Sequence, residues 1–256
     1  MTDRYLKVAV EAALRSGYFI KRSVGKIGSI SYKARNDIVT DIDKKSEEII
    51  LKMIGSRFPK HSFLAEESLS SGNASPYKWV VDPLDGTSNF ARSFPFFCVS
   101  IALEHDGVLL NGVVYDPMRD ELFWASKGKG AFLNKKRIFV SRVRKLADGF
   151  LATGFSYKKS KRFESLEGFK RFLMRSMAVR RAGSAALDLS YVACGRFDGF
   201  WEIDLNPWDS AAGVVLVNEA MGKVTKFDGS AYSHYDKEIL ATNRLLHNQM
   251  IKVLNF

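Results

Sequence analysis

The sequence predicts an α/β (α+β) fold of layered sheets and helices in two lobes. Three observations predict it. The first half carries meandering β-rich runs, "FFCVSIALE" (96–104), "GVLLNGVVYDP" (107–117) and "ELFWASKGKGAFLNKKRIFV" (121–140). After about residue 145 the texture becomes an alternation of helix-like and strand-like segments. No Gly/Ser/Pro-rich linker separates the halves, so the sheets and helices should pack as layers of one body. The expected organisation is a single domain over 1–256, with an N-terminal lobe of about 1–145 and a C-terminal lobe of about 146–256.

Taken in order, residues 3–22 repeat apolar positions at helical spacing. Residues 44–56 do the same, with Thr40 or Asp41 placed to cap them. "HSFLAEES" (61–68) reads as a short strand ending in acids, and "KWVVD" (78–82) as a buried strand. His105-Asp106-Gly107 is a hairpin turn between the two long β runs, and 121–140 supplies two or three more strands. Residues 149–155 form a strand, 162–174 a helix, 176–181 a strand and 184–194 a helix that Gly195 can end. Residues 197–203 form a strand, and 210–221 a helix stopped by Gly222. Strands near 223–227 and 238–242 and a helix from 245 complete the chain.

Composition narrows the function classes. The 256 residues are 46% hydrophobic and 26% charged, an ordinary globular profile with ample core. There is no repeat at a solenoid period, and no apolar stretch is long enough to span a membrane. The N-terminus reads as an amphipathic helix rather than a signal peptide. Cys98 and Cys194 lie far apart in apolar surroundings, which argues against a disulfide framework or zinc knuckle and for a reducing cytoplasm. The net charge of +11 suits a polyanionic partner or a phosphorylated small substrate, or is simply a basic surface. The basic residues are scattered, as in "KKSKRF" (158–163), and do not form the aromatic-interleaved block of a dedicated nucleic-acid domain.

The chemistry concentrates in "WVVDPLDGTSNF" (79–90). Pro83 disfavours the α region for the residue before it and lacks an N–H, so the strand should end at Asp82. Gly86 permits a tight change of direction, and Thr87 and Ser88 can open a helix whose first N–H groups attract anions. Asp82 and Asp85 then share one tight loop. Like charges this close repel unless something positive lies between them, and no Lys, Arg or His occurs from Trp79 to Ala91. A bound cation is the economical answer. An Asp-Gly turn alone would need no ion.

Other acids sit at comparable places. Glu66 and Glu67 end a short strand, which alone would suggest a solvated loop. Asp209 opens a helix, where Asp is a favoured cap. Thr40 and Asp43 fit a capping box. The pattern is collective: several acids, each at a strand end or helix start, where sheet edges converge. The four histidines lie outside these clusters, apart from His61 five residues before Glu66, and no H-E-x-x-H or Cys pair occurs. An all-oxygen site suits Mg²⁺ or Mn²⁺ rather than Zn²⁺, and Mg²⁺ commonly binds through carboxylates together with substrate phosphates. The combination points to phosphate-ester chemistry with an activated water.

These residues carry a resemblance. "DIVTDID" (37–43), "FLAEES" (63–68), "WVVDPLDGTSNF", "GVVYDP" (112–117), "KGKGAF" (127–132), "RRAGSAALDLSYVACGRFDGFWE" (180–202) and "NPWDSAAG" (206–213) resemble, in family order, the inositol monophosphatase family of Mg²⁺-dependent, lithium-sensitive sugar-phosphate phosphatases. "TSNF" looks like the inositol-phosphatase branch, whereas the nucleotide-phosphatase branch more often has Lys-Glu-Phe after the threonine. The resemblance implies a layered αβαβα sandwich, usually a homodimer, holding two to three Mg²⁺ ions. It implies that Glu66 and Asp82, with the Leu84 carbonyl, bind a first metal, and that Asp82, Asp85 and Asp209 bind a second. Glu66 would help hold a weaker third metal and its water. It pairs Asp43 with Thr87 to orient or relay the proton of the attacking water, and gives the phosphate to the Gly86 and Thr87 N–H groups. Gly183, Ser184, Ala185 and Glu202 would face the alcohol side of the substrate. The "YKARND" stretch near Lys33 aligns only approximately and receives no role.

The implied substrate is a small polyol or sugar phosphate, with myo-inositol 1-phosphate foremost. Family relatives also hydrolyse fructose 1,6-bisphosphate, histidinol phosphate, NADP or adenosine bisphosphate, and one bacterial member serves in ribosomal-RNA antitermination through RNA and transcription proteins.

Overall fold

The computed structural model describes residues 4–26, 28–34, 37–71 and 75–255. Within "YKARND", Arg35 and Asn36 lie outside these described residues. In chain order the elements are α1 (Arg4–Ser23), β1 (Ile30–Ala34), β2 (Asp37–Thr40), α2 (Asp41–Arg57), β3 (Ser62–Ala65), β4 (Leu69–Ser71), β5 (Tyr77–Asp85), α3 (Thr87–Ala91) and β6 (Cys98–His105). They continue with β7 (Val108–Asp116), β8 (Glu121–Ser126), β9 (Gly130–Leu133), β10 (Lys136–Ile138), β11 (Phe150–Thr153), α4 (Lys159–Leu173), β12 (Ala178–Arg180) and α5 (Ala185–Ala193). The last are β13 (Gly199–Ile203), α6 (Pro207–Glu219), β14 (Lys223–Thr225), β15 (Glu238–Thr242) and α7 (His247–Leu254).

Beside the β1–β2 ribbon stand two large sheets. One has eight strands in the order β10-β9-β8-β7-β6-β5-β3-β4, and the other five in the order β12-β11-β13-β15-β14. The first is antiparallel except where β3 runs parallel to β5. In the second, β12, β11 and β13 are parallel and β15 and β14 antiparallel.

Three apolar clusters join five layers, the central cluster serving both faces of the middle layer. Ala12 and Ile54 of the α1–α2 pair pack on Trp79, Ile101 and Val113 of the first sheet. Leu189 and Leu216 of the α5–α6 pair fill the space between Val114 and Phe123 on one sheet and Phe200 and Ala241 on the other. Phe172 and Met250 of α4 and α7 cover Trp201 and Leu240 on the outer face. This is the αβαβα sandwich. The middle layer draws on both halves of the chain, because residues past 180 supply its helices and residues before 140 supply one of its walls.

Local chemistry accounts for most boundaries. Asp106 and Gly107 adopt φ of 49° and 78°, the left-handed pair that a two-residue hairpin needs. Thr40 caps α2 with its hydroxyl on the Ile42 and Asp43 N–H groups, while the Asp43 carboxylate accepts the Thr40 N–H.

Three expectations are corrected. β5 does not end at Asp82 but runs through Pro83 to Asp85, because a register shift against β6 absorbs the proline and re-pairs Asp85 with Cys98. The Pro83 carbonyl accepts from the Ser46 hydroxyl of α2, a contact distant in sequence. α6 begins at Pro207, so Asp209 is its third residue and not its cap. At the far end of α6, Met221 rather than Gly222 takes the left-handed conformation.

Candidate active site

β3 and β5 form, among the described residues, the one parallel pair of the first sheet, with Ala65 opposite Val81. Their C-terminal ends therefore finish together, and Glu66 leaves β3 beside Asp82. The Glu66 N–H donates to the Val81 carbonyl and fixes that turn. The starts of α5 and α6 arrive from the middle layer and bring Ser184 and Asp209. Glu66, Asp82, Leu84, Asp85, Gly86, Thr87 and Asp209 thus line one cleft, with Ile38, Ser88 and Tyr157. Asp85, Asp209, Gly183, Ser184, Ala185 and Glu202 line an adjoining cavity of about 100 Å³. Every site residue that the family resemblance nominates lines one of these two spaces, except Asp43, which reaches the first through the Thr87 hydroxyl; Glu67, the other acid at the end of β3, lines neither.

One oxygen of each aspartate is held by a backbone N–H. Asp82 Oδ1 accepts from Leu84 at 3.0 Å, Asp85 Oδ2 from Ala186 at 2.8 Å and Asp209 Oδ2 from Asn206 at 2.7 Å. Asp85 Oδ2 also accepts from the Ser184 hydroxyl at 2.6 Å, which joins β5 to the start of α5. Asn89 reinforces the joint by donating to the Phe96 and Ala182 carbonyls. At the turn itself Gly86 has φ of 95°, and a Cβ there would come within 2.9 Å of the Phe96 carbonyl oxygen, so only glycine fits.

Asp43 satisfies two readings at once. Its Oδ2 caps α2, while its Oδ1 accepts the Thr87 hydroxyl at 2.7 Å. The same hydroxyl lies 3.0 Å from the Leu84 carbonyl oxygen. Burial pushes the Asp43 carboxyl up despite these bonds.

Charge is the site's distinctive property. Burial, then the charges of Glu66, Asp85 and Asp209, hold the Asp82 carboxyl well above the usual carboxylate range. Burial and then Glu66 do the same to Asp209. Asp85 is pushed up to about 6, chiefly by burial. Glu202 is pushed up to about 8 by burial, with Arg181 opposing and Asp85 adding to it. By surface, Asp85, Asp209 and Glu202 keep part of their area open. Protein nevertheless surrounds their carboxyls, and that enclosure governs their protonation.

The donors of the cleft fit a hard divalent cation. They are carboxylates and a carbonyl, and among the described residues that line the space there is no Lys, Arg or His. Among the described residues no three acidic, histidine or cysteine side chains are already closed around one point. The acids converge on the cleft while Asp85 is turned toward Ser184 and Ala186.

Sequence reasoning missed two residues here. Asp188 is buried on α5 and lines the cavity, and its enclosed Oδ1 has no hydrogen-bond partner among the described residues. A lone acid inside the apolar run "SAALDLSYVA" was the available signal. Gly154, at the end of β11, meets the Glu202 carboxyl; nothing local in the sequence marks it.

Comparison with known proteins decides the family. The model of the inositol monophosphatase family matches residues 1–256. The chain belongs to the inositol monophosphatase family. As a member it is a phosphoric monoester hydrolase. An inositol-1-monophosphatase of Synechocystis is 45% identical over 253 residues, covering 98% of this chain and 88% of that protein. The Nus factor SuhB of Escherichia coli K12 is 44% identical over 242 residues, covering 93% and 91%. The solved structure of extragenic suppressor protein suhB from Bartonella henselae superposes with a TM-score of 0.95 at 41% identity, covering 98% of each chain. An IMPase/NADP phosphatase complexed with Mg²⁺ and phosphate superposes with a TM-score of 0.81 at 26% identity, covering 94% and 91%. No helix among the described residues is long and apolar enough to cross a membrane.

Proposed function

We propose that this inositol monophosphatase-family chain hydrolyses the phosphate monoester of a small polyol, myo-inositol 1-phosphate foremost, to the free polyol and phosphate. The observation that carries the reading is the juxtaposition of two spaces. A cleft lined by four acids, Glu66, Asp82, Asp85 and Asp209, adjoins a cavity lined by the start of α5 and by Glu202. Glu66, Asp82, Asp85, Asp209 and the Leu84 carbonyl would hold Mg²⁺, two to three ions in all, and Mn²⁺ suits the same oxygens. The Mg²⁺ in the related phosphatase structure supports this choice. Bound there, the ion supplies Lewis acidity that activates water and offsets charge on the ester oxygens.

The chain's own groups do the rest. The Gly86 and Thr87 N–H groups, at the start of α3, are placed to receive phosphate oxygens. The Thr87 hydroxyl spends its proton on Asp43, which leaves its lone pairs able to accept from the incoming water. Asp43 then takes up the proton that Thr87 passes back, and burial has already raised its affinity for one. Ser184, Ala185 and Glu202 face the departing alcohol. Thr87→Ala should therefore lower kcat on the order of a hundredfold with little change in metal affinity. Loss of metal at unchanged kcat would remove the pair from the mechanism.

The deciding experiment measures phosphate release over a panel containing myo-inositol 1-phosphate, fructose 1,6-bisphosphate, histidinol phosphate, NADP and adenosine bisphosphate, with and without Mg²⁺. Mg²⁺-dependent release favouring the inositol ester supports the reading; release favouring another ester reassigns the substrate. A homodimer, lithium sensitivity and a cytoplasmic location accompany this proposal on the strength of the family resemblance. A second role, in a transcription complex, is favoured by the relative named Nus factor SuhB and by the net charge of +11. Salt-sensitive RNA binding by the metal-free protein would support it.

A further inference from the structure

Glu202 stands where two cavities meet. The inner one, beside the acidic cleft, is lined by Arg181, Ser184 and Asp188 among others. The outer one, of about 370 Å³ between α4 and the outer face of the second sheet, is lined by Glu164, Gly168, Arg171 and Trp201. Thr153, Gly154 and Glu202 belong to both walls, so Glu202 is part of the partition between them.

The position of its carboxyl is set by shape. Among the described residues no hydrogen bond fixes it; burial acts on it, with the charges of Arg181 and Asp85 nearby. It lies instead against the backbone of Gly154. A Cβ on Gly154 would come within 1.9 Å of Glu202 Oε1 and 2.2 Å of Cδ and Oε2, distances at which something must move. The backbones cannot part to make room. β11 and β13 pair in parallel with Thr153 opposite Trp201, and the Thr153 hydroxyl donates to the Trp201 carbonyl at 2.6 Å, one residue from the contact. A side chain at 154 must therefore push the carboxyl out of the partition, into the inner cavity or into the outer one.

We propose that Gly154 is a positioning residue for substrate selection: the absence of its side chain seats Glu202 in the wall of the inner cavity, where its carboxyl meets hydroxyls of the alcohol half of the ester. This rests on the function proposed above. Moving the carboxyl inward fills the space that the alcohol needs, and moving it outward removes the contact and joins the two cavities. Either displacement penalises a polyol ester more than an ester whose alcohol carries no further hydroxyls.

The test is a double-mutant cycle over wild type, Gly154→Ala, Glu202→Asp and the double variant, because the shorter acid removes the overlap. Two readouts are taken: kcat and KM with Mg²⁺ on myo-inositol 1-phosphate and on p-nitrophenyl phosphate, and thermal unfolding of the metal-free proteins. Gly154→Ala should raise KM for the inositol ester by about tenfold more than for the nitrophenyl ester, the worth of a hydrogen bond or two to substrate. It should also lower the melting temperature, and both penalties should largely vanish in the Glu202→Asp background. Equal losses on the two esters, or unfolding penalties that simply add, would overturn the proposal. If wild type hydrolyses neither ester, the functional reading fails, and the unfolding cycle still decides whether Gly154 and Glu202 are coupled.

Discussion

Replacing Asp85 by asparagine removes Mg²⁺-dependent phosphate release, by on the order of a thousandfold, while the metal-free variant melts no lower than wild type. Both halves follow from where Asp85 sits. Its carboxylate joins β5 to the start of α5 through Ser184 and Ala186, and an asparagine carbonyl oxygen can still accept there. The charge, in contrast, is a liability without an ion, since burial disfavours it and it bears in turn on Asp82. Asparagine is isosteric and uncharged, so it relieves that repulsion and forfeits a metal ligand. Thermal unfolding and phosphate release on the same preparation check the pair. Full activity would show that Asp85 holds no metal, and a marked drop in melting temperature would make its role architectural.

The second large effect is a pH dependence of stability that the metal should erase. Asp82, Asp85, Asp209 and Glu202 all have folded-state affinities for protons above their ordinary values, with Asp85 at about 6 and Glu202 at about 8. The folded state thus binds protons that the unfolded chain has already released, and stability falls as pH rises from about 4 through these values. Buried His247, held between Thr225 and Thr242 and pushed down to about 4, acts oppositely. Its contribution is complete above pH 6.5 and is lost as pH falls toward 4. Between pH 6.5 and 8 only the carboxylate effect remains, so the melting temperature of the metal-free protein should fall across that window. Saturating Mg²⁺ should raise it most at pH 8, because binding to the folded state alone adds stability. Scanning calorimetry at several pH values, with and without the ion, reads this out. A flat profile without metal would mean that burial, with the neighbouring charges, does not hold protons on these acids as described.

How much of this was legible in the sequence depended on whether the cause was local. The Asp106-Gly107 hairpin and the Thr40–Asp43 box were readable because turn and cap chemistry is written within four residues. The end of β5 was misjudged because Pro83 is accommodated by a register shift against β6 and by Ser46 on a distant helix. Asp209 was placed at its helix start but given the wrong station, since Pro207 extends α6 backwards. The acids of the cleft could be nominated from spacing and family resemblance, but their convergence is three-dimensional. It depends on β3 and β5 being parallel and on two helix starts arriving from the far half of the chain. Gly154 and Asp188 escaped for the same reason, because each matters only through Glu202 and the cavity beside it.

The central claim is that segments far apart in sequence assemble an acidic cleft that holds divalent ions. Anomalous diffraction from crystals soaked in Mn²⁺ tests it most directly. The account predicts manganese peaks within coordinating distance of Glu66, Asp82, Asp85 and Asp209, with Asp82 shared between two of them. Well-ordered carboxylates with no peak among them would contradict it.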